Sequence, residues 1–304
     1  MASALCVVAG LALLLAGCTT PIGATKTSSR VAYRQAKASA MEGEISNESL
    51  LVLHRFDLEK QFASHPADAL KFLHEKACQD DRRDLVFALA ELSYLHAYRL
   101  EHSMKAWEPK QARDYYLSSV IYSYLYLFGA GHQPPPTGFD DRFRIACDVY
   151  NAGLAKGLGS LERTNAVVLL EDGPRQLPPG RVEVRLDTNA FPFALSRFEN
   201  FLSADQFLIR GLSVRDRQSG LGAPLIGVGR REGQSPMTRR IPATIFGRPN
   251  GDLKAWNAGQ LSLTLELYSG YGSNTVQVGD ATLPLETDLT APLAYGLEGA
   301  AIWR

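Results

Sequence analysis

Acyl transfer on an α/β scaffold needs a serine on a strained strand-to-helix turn, where only glycine fits on either side. The nearest strings are Gly211-Leu212-Ser213-Val214-Arg215 and Gly233-Gln234-Ser235-Pro236-Met237. Each lacks the second glycine, and Pro236 stands where a helix would begin, so neither Ser213 nor Ser235 is expected to be a nucleophile. Metal chemistry needs His, Cys, Asp or Glu at ligand spacing. The six histidines (His54, His65, His74, His96, His102 and His132) form no His-Glu-x-x-His string. His74 and Cys78 are four residues apart and would share a helix face as two zinc ligands. Nothing beside them supplies a third and fourth ligand, so a core-edge pair is expected. Glycines 220, 222, 227 and 229 would cradle a phosphate only with a helix start directly behind them. Arg230-Arg231-Glu232-Gly233 follows instead, which predicts a surface loop. No catalytic residue, metal or cofactor is expected.

Charge is the less bland signal. The chain is neutral overall, with 32 basic and 32 acidic side chains, so no global field draws it to nucleic acid. Yet Arg210, Arg215, Arg217, Arg230, Arg231, Arg239, Arg240 and Arg248 face only Asp216 and Glu232 in the same stretch, a local balance of +6. From Gly251 onward, Asp252, Glu266, Asp280, Glu286, Asp288 and Glu298 outweigh Lys254 and Arg304, a balance of −4. The arginines are candidates for an interaction patch. They can meet lipid phosphates, an acidic partner or the acidic segment of the same chain, or form a solvated face.

Two kinds of periodicity position these residues. From about 29 to 160 the apolar period is helical. Ser46 precedes Leu50, Leu51, Leu53 and Phe56; Pro66 opens a run with Leu70, Leu73 and Ala77, proline being suited to a first turn. Leu85, Leu89, Leu92 and His96 form a stripe, and Phe143, Cys147, Tyr150 and Leu154 another. Between them lies an aromatic run, Tyr115, Tyr116, Tyr122, Tyr124, Tyr126 and Phe128, which suits a core or a ligand groove. It stops at Gly129, and Pro134-Pro135-Pro136 then forces an extended loop. An antiparallel helical array with packing like that of tetratricopeptide repeats is expected, although no 34-residue period recurs.

After Gly159 short segments rich in Val, Leu, Ile, Phe and Thr alternate with turn residues, predicting an antiparallel β-rich domain over 161–304. Strands are expected over 165–170, 181–186, 206–210, 241–246, 260–268 and 275–278, with Gly279-Asp280 as a turn between two strands. The fold class is therefore α+β.

The first residues differ in kind. Leu5 to Gly17 is an unbroken apolar and small-residue run. Its thirteen residues rise only about 20 Å as a helix, short of the roughly 30 Å of a bilayer core. That length suits the apolar region of a signal peptide. Leu15-Ala16-Gly17-Cys18 closes it with small residues and a thiol, and this string resembles the lipobox of bacterial lipoproteins. The resemblance implies cleavage after residue 17 and lipidation of Cys18, with diacylglycerol and a further acyl chain such as palmitate. Thr19 and Thr20 follow in place of the aspartate that marks inner-membrane retention, which implies the outer membrane, periplasmic face. Residues 18–28, rich in Thr, Ser, Gly and Pro, read as a flexible tether. Once Cys6 is removed and Cys18 acylated, Cys78 and Cys147 remain, enough for one disulfide and leaving open whether they pair.

Four further strings span most of the rest: Arg83 to Tyr94, Phe143 to Asn151, Gly220-Leu221-Gly222-Ala223-Pro224-Leu225, and Leu285 to Tyr295. Together they resemble the N-terminal, non-catalytic region of large lipoproteins of Gram-negative bacteria that carry an α/β-hydrolase domain. The resemblance implies that the hydrolase domain and its serine elbow lie beyond residue 304, so no catalytic residue is transferred to this chain. The expected function is that of a membrane-anchored module of the cell envelope that binds and positions a protein partner. Two alternatives stand beside it: the anchoring portion of a lipase or esterase, and an assembly scaffold that binds peptides in the helical groove.

Overall fold

The computed structural model describes residues 39–80, 82–103, 108–129, 134–160, 167–230 and 239–297. The residues expected to form a signal peptide and a tether, Cys18 among them, lie outside the described residues. Ala38–Arg304 forms one compact unit, and its class is α+β, with helices first and a sheet second.

After a 3-10 turn at Ala40–Glu42 come α1 (Asn47–Arg55), α2 (Glu59–Ser64), α3 (Pro66–Gln79), α4 (Arg83–Glu101), α5 (Glu108–Phe128) and α6 (Asp141–Gly157). Their starts follow local chemistry. The Ser46 hydroxyl accepts the Ser49 N–H at 3.3 Å, Pro66 occupies the first turn of α3, and the Asp140 carboxylate accepts the Arg142 N–H at 3.0 Å. The burial of α4 is wider than the predicted stripe. Leu85 and every residue from Phe87 to Ala97 are buried. Alanine at 88, 90 and 97 and serine at 93 let neighbours approach on several sides, so α4 is the central helix.

The strands are β1 (Val167–Val168), β2 (Gly173–Gln176), β3 (Arg181–Asp187), β4 (Phe198–Ser203), β5 (Arg217–Gln218), β6 (Ala223–Gly229), β7 (Arg240–Asn250), β8 (Leu261–Ser269), β9 (Thr275–Val278), β10 (Ala281–Pro284) and β11 (Thr287–Asp288). A short helix, α7 (Leu253–Asn257), links β7 to β8, and α8 (Thr290–Leu297) follows β11. Seven strands form one sheet in the order β1-β4-β6-β7-β8-β3-β2; β9 pairs with β10 and β5 with β11. The expected alternation in β8 is present: Leu261, Leu263, Leu265 and Leu267 are buried, and the residues between them are half-buried. Gly279-Asp280 makes a two-residue hairpin turn, with Val278 opposite Ala281 and Gly279 at φ +58°.

Three expectations are corrected. The sheet is mixed, because β3 runs parallel to β8. A parallel pair needs a long crossover, and residues 188–260 supply it by building β4, β6 and β7 before the chain returns beside β3. Gly220 to Gly229 is not a surface loop; β6 is wholly buried between β4 and β7. Its glycines make room for neighbours: a Cβ on Gly227 would stand 2.9 Å from the Phe198 ring and 3.2 Å from that of Phe201. The segment after Gln206 alternates as a strand does, with Phe207 and Ile209 turned inward and Leu208 and Arg210 outward, but among the described residues it has no ladder partner.

One apolar cluster runs through both halves, from Val52 and Leu89 to Ile245 and Leu265. A second, smaller one, built from Leu202, Ala204, Ile226, Val228 and Ala291, is closed by Phe207, Ile209 and Tyr295. Among the described residues no helix is long and apolar enough to cross a membrane.

Candidate functional site

Three polar joints tie the helices together and to the sheet. The first is at Tyr150 and Asn151, adjacent on α6. Strand β6 begins opposite Ile245, so past that point β7 lacks a neighbour on one edge. The buried Tyr150 hydroxyl fills the gap, donating to the Gly247 carbonyl at 2.7 Å and accepting its N–H at 2.9 Å. Asn151 holds the turn before β6: its side-chain amide donates to the Gly220 carbonyl (2.9 Å) and to Glu286 Oε2 (2.5 Å), and its oxygen accepts the Gly222 N–H (2.8 Å). Gly222 lies at φ +107°, a conformation that favours glycine.

The second joint is His74, Cys78, Tyr122 and Trp256. The Cys78 thiol lies 3.5 Å from His74 Nε2, the Tyr122 hydroxyl 2.8 Å from His74 Nδ1, and Trp256 packs edge-on against His74. A thiol, an imidazole and a hydroxyl in line could in principle generate a thiolate. Here burial opposes it, pushing the thiol up and the imidazole down, which disfavours both charged forms. The thiol also donates to the Leu253 carbonyl at 3.7 Å. The pair is therefore part of the α3–α7 seam, and among the described residues no cluster of three metal-binding side chains occurs. Cys147, on α6, is pushed up to about 12 by burial, and both thiols are free.

Glu91, fully buried in α4, makes the third joint. One oxygen accepts the Ala40 and Ser46 N–H groups (3.1 and 3.2 Å), and the other the Ser46 and Ser49 hydroxyls (2.5 Å each). Sequence reasoning missed this residue, although a glutamate inside an otherwise apolar helix stretch was a visible signal. The aromatic run of α5 is core: Tyr116 packs on Tyr94, Tyr122 on Trp256 and Tyr126 on Phe87.

A cleft of about 450 Å³ lies where the triple-proline loop meets the helices, lined by Arg83, Tyr126, Pro134, Asp140 and Arg142 among others. Its charges are engaged: Arg142 pairs with Asp140 at 2.6 Å, and Arg83 donates to the Tyr126 and Gly129 carbonyls. Ser213 sits on an exposed loop, and among the described residues it is bonded to no histidine. Ser235 lies outside the described residues.

The arginine patch divides into two groups. Arg215 reaches Asp288 at 2.5 Å, Arg217 holds Asp205 at 2.5 Å together with Glu286, and Arg248 grips Glu266 at 2.5 Å. These three meet carboxylates of the same chain, mostly the acidic segment that follows. Asp288 is fully buried, and its other oxygen accepts the Thr290 and Ala291 N–H groups, so the Arg215 pair also caps α8. The rest form no ion pair among the described residues, and Arg240 among them is half-buried, with its Nε out of solvent. Arg230 donates to the Phe198 carbonyl at 3.1 Å, Arg240 lies 5.0 Å over the Tyr295 ring, and Arg210 and Arg239 are exposed. Arg231 lies outside the described residues.

No family model, no curated protein and no solved structure matches this chain.

Proposed function

We propose that the chain is a bacterial lipoprotein, held by lipid on Cys18 at the periplasmic face of the outer membrane, whose folded unit binds and positions a partner without catalysis of its own. The observation that carries this reading is the run Leu5 to Gly17 closing in Leu15-Ala16-Gly17-Cys18. The use of the buried polar groups supports it. Glu91, Tyr150, Asn151 and the His74–Cys78 pair all hold secondary-structure elements together. Expression in a Gram-negative host with labelled fatty acid tests the reading. The wild-type chain should take up label, and Cys18→Ser should leave an unprocessed, unlabelled precursor. Label retained by Cys18→Ser would overturn it.

A second reading makes this unit the non-catalytic front portion of a membrane-anchored lipase or esterase. Asn151 favours it: this one side chain joins three of the strings behind the resemblance, Phe143 to Asn151, Gly220 to Leu225 and Leu285 to Tyr295. Those strings then describe a scaffold joint rather than an active site. The reading frame past codon 304 tests it: an in-frame Gly-x-Ser-x-Gly supports it, and its absence contradicts it.

A further inference from the structure

The segment between β4 and β5 leaves three large apolar side chains in solvent. Leu208 is 80% exposed, Val214 78% and Leu212 46%, and Leu293 on the adjacent helix α8 is 57% exposed. The fold pins both ends of this loop to the same helix. Phe207 packs on Tyr295 at 5.0 Å near the end of α8. The Asp216 N–H donates to Thr290 Oγ1 at 2.6 Å, and its carbonyl accepts the Leu289 N–H at 2.9 Å, at the start of α8. Residues 208–215 therefore run between contacts to the two ends of α8.

Arginines without a carboxylate partner lie in this loop and against the end of α8. Arg210 lies within the loop, and Arg240 stacks on Tyr295. Arg239 adjoins Arg240, and Arg230 is joined to Arg197, its N–H donating to the Arg197 carbonyl. Among the described residues none of these five guanidinium groups is paired with a carboxylate. Asp205, Glu286 and Asp288, the acids that would offset them, are already held by Arg215 and Arg217. Among the described residues, Asp216 in the loop and Glu199 near Arg197 in sequence are exposed acids.

We propose that this loop and α8 form a second membrane contact, with Leu208, Leu212 and Val214 entering the interface of an anionic phospholipid surface and the arginines meeting its phosphates. An exposed loop that carries Leu208, Leu212 and Val214 around Arg210 suits an interface: the apolar groups reach the acyl boundary, while arginine stems lie along it with their heads at headgroup level. Guanidinium groups bind phosphate in a forked geometry. The contact does not depend on acylation of Cys18 and adds a basic-patch signal to the lipid.

The test is hydrogen exchange on the full chain carrying Cys18→Ser, with phosphatidylglycerol–phosphatidylcholine vesicles and with phosphatidylcholine vesicles alone. On the anionic vesicles, amides of 207–216 and 289–297 should slow by at least about tenfold, while those around the exposed Tyr271 stay unchanged. Unchanged exchange at 207–216 overturns the proposal, as does equal slowing around Tyr271. Equal protection on neutral vesicles overturns the role given to the arginines. Leu208→Asp with Val214→Asp, both at exposed positions, should leave thermal unfolding unaltered and remove the protection; protection that persists also overturns it. Because Cys18 is already replaced, a failure here leaves the acylation reading untouched.

Discussion

The residues that matter most for this fold are polar side chains placed where the backbone lacks a partner. Tyr150 supplies both a donor and an acceptor to Gly247. Tyr150→Phe keeps the ring and strands two buried backbone groups, so it should lower stability by about 2 kcal/mol. The urea midpoint measures this, and an unshifted midpoint would contradict the role. Glu91→Ala removes four hydrogen bonds at once and should cost more, about 3 kcal/mol or above. His96 gives a pH signature. It is buried against the Tyr115 ring at 4.4 Å, and burial first, then Arg99, holds it at about 4 instead of 6.5. Between those values the unfolded chain binds more protons than the folded one. Stability should therefore fall as pH drops from about 6.5 to about 4, by on the order of 3 kcal/mol. His96→Gln should flatten that dependence, as read from urea midpoints at both ends of the window; an equally steep fall in the variant would count against it.

At the scale of elements, legibility followed periodicity. Helices α1, α3 and α6 and strands β3, β8 and β9 were readable because their apolar residues repeat with the period of the backbone, whereas α4, buried more widely, was read from one stripe, α5 and β7 from aromatic or apolar runs, and α2 was not read at all. Strand β6 was not, since a strand buried on both faces has no alternation, and its glycines mimic a loop. Segment 207–210 failed the other way: it alternates, but the pattern reports only which side chains turn inward, not whether a ladder partner exists. The arginine patch was legible as charge, yet its division was not, because the pairing of Arg215 and Arg217 with Asp288 and Glu286 depends on β5 meeting β11. Gly227→Ala tests the account of β6. The added methyl would press on Phe198 and Phe201, so a loss of about 1–3 kcal/mol is expected. A thermal midpoint equal to that of the wild type would mean the rings can move aside.

On the scale of the whole molecule, the change from helical to strand periodicity near residue 160 does not divide the core. Val120 and Leu154 lie against Gly247, and Tyr124 and Tyr150 pack on Phe246. Unfolding of residues 39–297 is expected to be a single cooperative transition, with circular dichroism and tyrosine fluorescence superimposing. Two separated transitions would show that the helices and the sheet hold independently.

The central claim is that lipid on Cys18 holds this unit to a membrane. Intact mass spectrometry of the native protein, extracted from membranes with detergent, tests it most directly. The account requires an N-terminal peptide beginning at Cys18 and carrying diacylglycerol with an added acyl chain. An N-terminal peptide with Cys18 as a free thiol, or with residues 1–17 still attached, would contradict it.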